Sequence, residues 1–324
     1  MTKILILFLK SLRKIYGKLW KKEPQKPLSE QDPNKASQII YDALIADKPC
    51  MIARFGSTEL TTLVNYLGVK QTDKNIFKYV QGKTLPWWWN EGVLEQMQRW
   101  SGFFPPTVSK IEQFCELMIA DIPQVDVLGS WLVNEKYFDN LLSNAEKIDL
   151  LTLDPFWSDY SWTRGLEGKK ILVIHPFTET IVKQYQKREL LFENNLLPEF
   201  ELKTIKAVQS IAGEKTQFQD WFEALNYMKS EIDKQDYDIC LIGAGAYGFP
   251  LAAHIKRNGK KVIHIGGSLQ LLFGIRGKRW ENWDETTRNG KILDYKKLMN
   301  KHWVYPGMKE TPKNSKEVES SCYW

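Results

Sequence analysis

The stretch DICLIGAGAYGFPLAAHIKRNGKKVIHIGG, residues 238–267, holds the repeating unit of the fold. DICLIGA reads as a strand, and a turn follows with Gly243, Gly245 and Gly248 in GxGxxG spacing. Residues 246–258 read as an amphipathic helix, and KKVIHIG reads as the next strand. Strand, glycine turn, helix and strand form a parallel crossover whose helix covers a sheet face. The same alternation runs outward from it. Strands are expected at CMIARF, VDVLG, DLLTL, KKILVIHP and ELKTIKA. Helices are expected at about 34–47, from Ser57 to Leu67, through most of the stretch to about 120, and at about 178–195 and 216–235. The expectation is an α/β fold, a mostly parallel sheet with helices on both faces.

GxGxxG after a strand raises a dinucleotide, which also needs an acidic residue about 20 positions on for the ribose hydroxyls. That place offers His264, Gly266, Gly267 and Ser268, and no acid. The turn then reads as a backbone-accessible loop able to cradle a phosphate or a sugar, or as glycines needed only for close helix–strand packing. Downstream, GGSLQLLFGIRGKRW sets Gly266, Gly267, Gly274 and Gly277 beside Arg276, Lys278 and Arg279. Such a cluster suits a diphosphate, and a solvated basic face is the plainer account. Tyr247 and Gln270, inside these two loops, join the binding candidates.

Ligands of open α/β sheets collect outside the carboxyl ends of strands. IARFGSTEL brings Arg54, Gly56, Ser57 and Glu59 to that edge. Ser57 could cap a helix whose dipole Glu59 complements, or Arg54 could bind phosphate while Glu59 serves as acid, base or metal ligand. VIHPFTETI brings His175, and Thr178 and Glu179 open a helix whose N-terminus could hold an anion. Asp154, before Pro155, is a turn initiator or a further site group. In PWWWNEG, three consecutive rings, Trp87 to Trp89, cannot all turn to one side, so one should be exposed or face a partner. HExxH, a nucleophile elbow, a Walker loop and a cysteine zinc cluster are absent from the sequence.

The 324 residues, 43% hydrophobic, suffice for one large or two modest cores. Net charge is +6, yet seven of the 45 basic side chains fall in residues 1–22, which contain no acid; the other 38 face 39 acids. A nucleic-acid surface is therefore not expected. Residues 1–22, MTKILILFLKSLRKIYGKLWKK, read as a basic amphipathic helix with too short an apolar run to span a bilayer. It fits the surface of an anionic membrane, or a helix docked on its own domain. Residues 23–33 read as a linker, 34–310 as the body, and 311–324 as a disordered tail apart from its last apolar residues. Four scattered cysteines suit a reducing compartment, giving a cytoplasmic protein held peripherally at the inner membrane face.

With IARFGSTEL near the start, residues 238–267 near the end and alternation between, the chain resembles the bacterial GT-D-type glycosyltransferases. Their Rossmann-like domain occurs in surface-polysaccharide and glycoprotein glycosylation. The resemblance implies transfer of a sugar from a nucleoside diphosphate sugar to a glycan or lipid-linked acceptor, in capsule, exopolysaccharide or lipopolysaccharide assembly. It also implies a divalent ion, Mn²⁺ or Mg²⁺, on an Asp-x-Glu pair within Arg-x-Gly-Asp-Gly-Glu. Here Glu59 is kept, and Ser57 stands where the family has aspartate. A hydroxyl is a much weaker hard-cation ligand than a carboxylate, which would leave the diphosphate to Arg54, Arg276, Lys278 and Arg279. A nicotinamide-dependent oxidoreductase of a sugar nucleotide and a non-catalytic scaffold of the synthesis complex are the other readings.

Overall fold

The computed structural model describes residues 2–20, 25–312 and 323–324. Strands β1 (Cys50–Ala53), β2 (Val127–Ser130), β3 (Glu146–Asp149), β4 (Lys170–His175), β5 (Glu201–Lys206), β6 (Ile239–Ile242) and β7 (Lys261–His264) form one sheet in the order β3-β2-β1-β7-β6-β4-β5. Every pairing in it is parallel. Among the described residues the α-helices are α1 (Lys3–Leu19), α2 (Pro33–Ile45), α3 (Ser57–Lys70), α4 (Ile76–Val80), α5 (Glu91–Ser101), α6 (Val108–Asp121), α7 (Leu150–Leu153), α8 (Thr178–Tyr185), α9 (Arg188–Leu191), α10 (Trp221–Asp233), α11 (Gly248–Arg257), α12 (Leu269–Leu272), α13 (Lys278–Glu281) and α14 (Tyr295–Leu298).

The central strands read as unbroken apolar runs because both faces are covered. Successive residues alternate between two cores, as pleating requires. Met51 and Ala53 join the core under α3, α6, α10 and α11, while Cys50 and Ile52 join the one under α2, α8 and α12.

Several boundaries differ from the sequence reading, each for a local reason. DLLTL is not a strand. β3 is the more polar Glu146–Asp149, and Asp149 caps the helical turn α7 by accepting the Leu151 N–H at 3.0 Å. The helix expected at 178–195 is two short ones, α8 and α9. The one expected from 216 starts at Trp221, where Asp220 caps it. Part of the expected linker belongs to the body: Glu30 pairs with β3, and α2 begins at Pro33 with Asp32 as its cap. Residues 21–24 lie outside the described residues.

Helix α1 is docked. Its Leu9 is buried against Tyr79 and Trp88, and the Arg13 guanidinium lies 4.7 Å over the Tyr79 ring and donates to Thr84 O at 3.2 Å. This also answers the Trp87–89 question, since none of the three rings is exposed. Trp88 receives α1, Trp87 sits edge-on to Tyr79, and Trp89 tilts against Tyr66. At the other end Tyr323 and Trp324 pack into the body, whereas the rest of the expected tail, 313–322, lies outside the described residues.

A feature the sequence reading lacked is an antiparallel hairpin, β8 (Thr286–Arg288) and β9 (Lys291–Leu293). Its two-residue turn has Asn289 at φ 45° and Gly290 at φ 78°. Both positive angles match the right-handed strand twist.

Candidate functional site

The exits of β1, β4, β6 and β7 surround a cleft of about 520 Å³ at the carboxyl edge of the sheet. Arg54, Gly56, Ser57, Glu59, His175, Gly243, Gly245, Tyr247, His264, Gly266, Gly267, Gln270 and Arg279, all read from sequence, line it.

Arg54 leaves β1 and lies 5.3 Å from the Trp131 ring; its Cδ passes 3.5 Å from where a Cβ on Gly266 would stand. Burial pulls the guanidinium below its usual pKa, and the Glu59 carboxylate pushes it back up. Gly56, not Ser57, is the N-cap of α3, and no side chain caps the helix there. Its first N–H groups therefore remain available to an anion. Glu59 folds back over Gly56, so that a Cβ at 56 would sit 1.7 Å from Glu59 Oε2.

The glycines of the fingerprint have separate tasks. A Cβ on Gly243 would meet Gly266 O at 2.7 Å and His175 Cδ2 at 2.7 Å. Gly248 lies outside the cleft lining and is flat against the His264 ring, 2.2 Å from its Cε1 on the same construction. Its role is close packing of α11 on β7.

His175 accepts the Phe177 N–H at Nδ1 (3.1 Å), which places the ring proton on Nε2. Tyr247 stacks on Trp221 with centroids 5.0 Å apart, its hydroxyl 3.2 Å from Ser210 Oγ, and burial pushes its pKa up. Gln270 is a clasp: its amide donates to Ile275 O, Arg276 O and Tyr323 O, while its Oε1 is buried without a partner among the described residues.

The cationic cluster divides. Arg279 lines the cleft, beneath the Tyr323 ring at 4.8 Å, and donates to the Tyr323 hydroxyl at 3.0 Å. Arg276 instead donates to Asn300 O, and Lys278 is exposed outside the lining. Thr178 also lies outside it. The α8 N-terminus already holds a carboxylate of the chain itself: Glu310 accepts from the Glu179 N–H at 2.8 Å and from the Thr180 N–H at 3.3 Å. Asp154 is buried behind the cleft and accepts from the Ser268 and Tyr295 hydroxyls.

No protein-family model matches the chain, and no curated protein does. Among solved structures it is similar, at a TM-score of 0.34, to one described as "the highly conserved domain of unknown function 1792", with "a distinct glycosyltransferase fold". The two are 12% identical, and the likeness covers 93% of this chain and 95% of the other. A likeness that loose carries no residue across, and the site stands on its own geometry.

Some lining residues escaped sequence reasoning. Trp131 donates its indole N–H to Phe55 O (3.1 Å), and buried Glu135 fixes its loop by accepting the Trp131 and Leu132 N–H groups at 2.9 Å each. Arg288 reaches the cleft from the hairpin and pairs with Asp149 at 3.0 Å. The Asn-Gly turn in TTRNGKIL is the signal that could have found it. Tyr323 and Trp324 also line the cleft, and no local pattern announces them.

A divalent ion would have to be held by the oxygen donors of this cleft. Beside Glu59 the first motif offers only the Ser57 and Thr58 hydroxyls, the cleft's Asp149 is paired with Arg288, and among the described residues no three His, Cys, Asp or Glu side chains gather. Hard cations take several oxygen ligands rich in carboxylate, so these residues do not fit an ion held by the protein.

The buried titratable groups fix a pH dependence. Burial brings His175 and His264 from 6.5 down to about 3, with Arg54 adding to the effect on His264. The unfolded chain takes up those protons where the folded chain does not. Each histidine therefore withdraws about 1.4 kcal/mol per pH unit as pH falls from about 6.5 to 3. Burial raises Asp154 from 3.8 to about 6, so the stability it lends below 3.8 is lost as pH rises through 6. Across that window it offsets one histidine. Urea titrations should show acid destabilisation that steepens below pH 3.8. Asp154→Asn should gain on the wild type between pH 4 and 6, by on the order of 3 kcal/mol. A difference that stays flat with pH would contradict this.

Proposed function

We propose that the chain is a glycosyltransferase that binds a nucleoside diphosphate sugar in this cleft and passes the sugar to a glycan or lipid-linked acceptor of surface polysaccharide synthesis. The observation that carries the reading is the convergence, at one sheet edge, of Arg54 and Arg279, a glycine loop, an uncapped helix N-terminus and the Glu59 carboxylate, with Asp149 and Arg288 paired to each other in the same lining. Arg54, Arg279 and the α3 N–H groups would hold the diphosphate and stabilise the charge that collects on it as the bond to the sugar breaks. Glu59 would take the proton of the attacking acceptor hydroxyl. The donor set is poor for a divalent ion, so the diphosphate charge would rest on these arginines and N–H groups alone.

Titration with UDP-, GDP-, CMP- and dTDP-sugars, with Mn²⁺ or with EDTA, tests the reading. At least one should bind in EDTA, and Glu59→Gln should slow its turnover by about 100-fold or more while sparing affinity. Absence of binding and hydrolysis across the panel would defeat the proposal. If Glu59→Gln sustained glycan production in cells that deletion of the chain abolished, a scaffold would be preferred, a reading favoured by Ser57 where the resembled family has aspartate.

Among the described residues no helix is long and apolar enough to cross a membrane. The docked α1 turns Leu9 inward and leaves Ile4, Phe8, Ile15 and Leu19 outward, 82%, 58%, 56% and 68% exposed, with Lys14 and Lys18 also exposed. This face would rest on the anionic inner surface of the cell membrane and keep a cytoplasmic site near a lipid-linked acceptor. Vesicles containing phosphatidylglycerol should float the wild type but not a variant with serine at Phe8, Ile15 and Leu19. Equal flotation of both would reject the membrane role.

A further inference from the structure

The ionic side chains of the cleft lie toward one end of the sheet order. Arg54 and Glu59 follow β1, Asp149 ends β3 and pairs with Arg288, and Arg279 follows β7. At the exits of β4, β5 and β6 the described lining is polar without charge. His175 is neutral and directs its Nε2–H where no described residue accepts it. Gln209 and Ser101 likewise have no side-chain partner among the described residues, and Ser210 and Tyr247 share their hydroxyls. At the rim Trp100 is 42% exposed.

Unpartnered amide, hydroxyl and imidazole groups beside an indole match a pyranose, which offers hydroxyls at its edge and C–H groups on its face. A carboxylate placed there would be desolvated without a cation among the described residues. We infer that this half of the cleft receives the glycosyl unit of the donor, and that the unit is an uncharged pyranose and not a uronic or sialic acid. The inference rests on the donor reading above, and it adds the class of sugar and the residues that read it. A neutral acceptor glycan shares this chemistry, so the experiment separates the two sources.

Calorimetric titration of the full chain would compare UDP, UDP-glucose and UDP-glucuronate, with GDP and GDP-mannose as the purine counterpart. The neutral sugar nucleotide should bind about tenfold tighter than its free diphosphate, and UDP-glucuronate more weakly than UDP-glucose. Trp100→Ala and Gln209→Ala should each erase most of the sugar's advantage while leaving affinity for the free diphosphate within about twofold. Variants that weaken both ligands equally, or glucuronate binding as tightly as glucose, would overturn the inference with the donor reading intact. A neutral oligosaccharide that competes with the sugar nucleotide but not with the free diphosphate would reassign this half to the acceptor and overturn it too. If neither diphosphate bound the wild type, the donor reading itself would fall.

Discussion

Arg54→Ala is expected to weaken binding of a nucleoside diphosphate by ten- to a hundredfold, the range for losing a forked charge-assisted contact of about 1.5–3 kcal/mol. The side chain is held before any ligand arrives, between the Trp131 ring at 5.3 Å and the Gly266 backbone. Little ordering is left to pay on binding. Arg54→Lys should recover only part of the loss, because an ammonium keeps the charge without the fork. Calorimetry on both variants, with a thermal melt to confirm folding, decides it. Wild-type affinity in Arg54→Ala would remove the diphosphate from this end of the cleft.

Gly243→Ala should be the most damaging single methyl. The added carbon would lie 2.7 Å from Gly266 O, a backbone atom that cannot rotate away, and 2.7 Å from the His175 ring. Relief requires the β6 and β7 exits to part or His175 to leave its place. The expected cost is on the order of 3 kcal/mol, with loss of ligand binding. Gly17→Ala on α1 is the control: nothing lies within 4 Å of its added carbon. It should be neutral or stabilising by up to about 1 kcal/mol. Equal urea midpoints for the two variants would contradict the packing described for Gly243.

What could be read in advance follows from which forces are local. Five strands were legible because burial on both faces makes them continuous apolar runs; β5, at one edge, was expected although none of its residues is buried, and β3, at the other, was missed. As an edge strand it tolerates Glu146 and Lys147, while the more apolar Leu150–Leu153 beside it was free to turn inward as a helix. Residues directly at strand exits, such as Arg54, His175, Gly243 and Gly266, were placed by the topology rule and do meet in one lining. Residues a turn further on were not: Thr178 lost its helix N-terminus to Glu310, and Arg276 turned to Asn300. Glu310 lies 131 positions from Glu179, whose N–H it accepts, and Asn300 lies 24 from Arg276, both beyond any local pattern. The same holds for Tyr323, whose place is set by Gln270 and Arg279.

The strand order also governs how the chain is made. β7 joins β1 on one side and β6 on the other, yet it is the last strand of the sheet to leave the ribosome. Until residue 264 emerges, a nascent chain carries two three-stranded half-sheets, each with an unpaired apolar edge, and the half-cleft residues of each stand apart. Those edges are templates for pairing with other chains. Synthesis that stalls between residues 242 and 261 would thus release the form most prone to aggregate, and a few further residues would close both edges in one step.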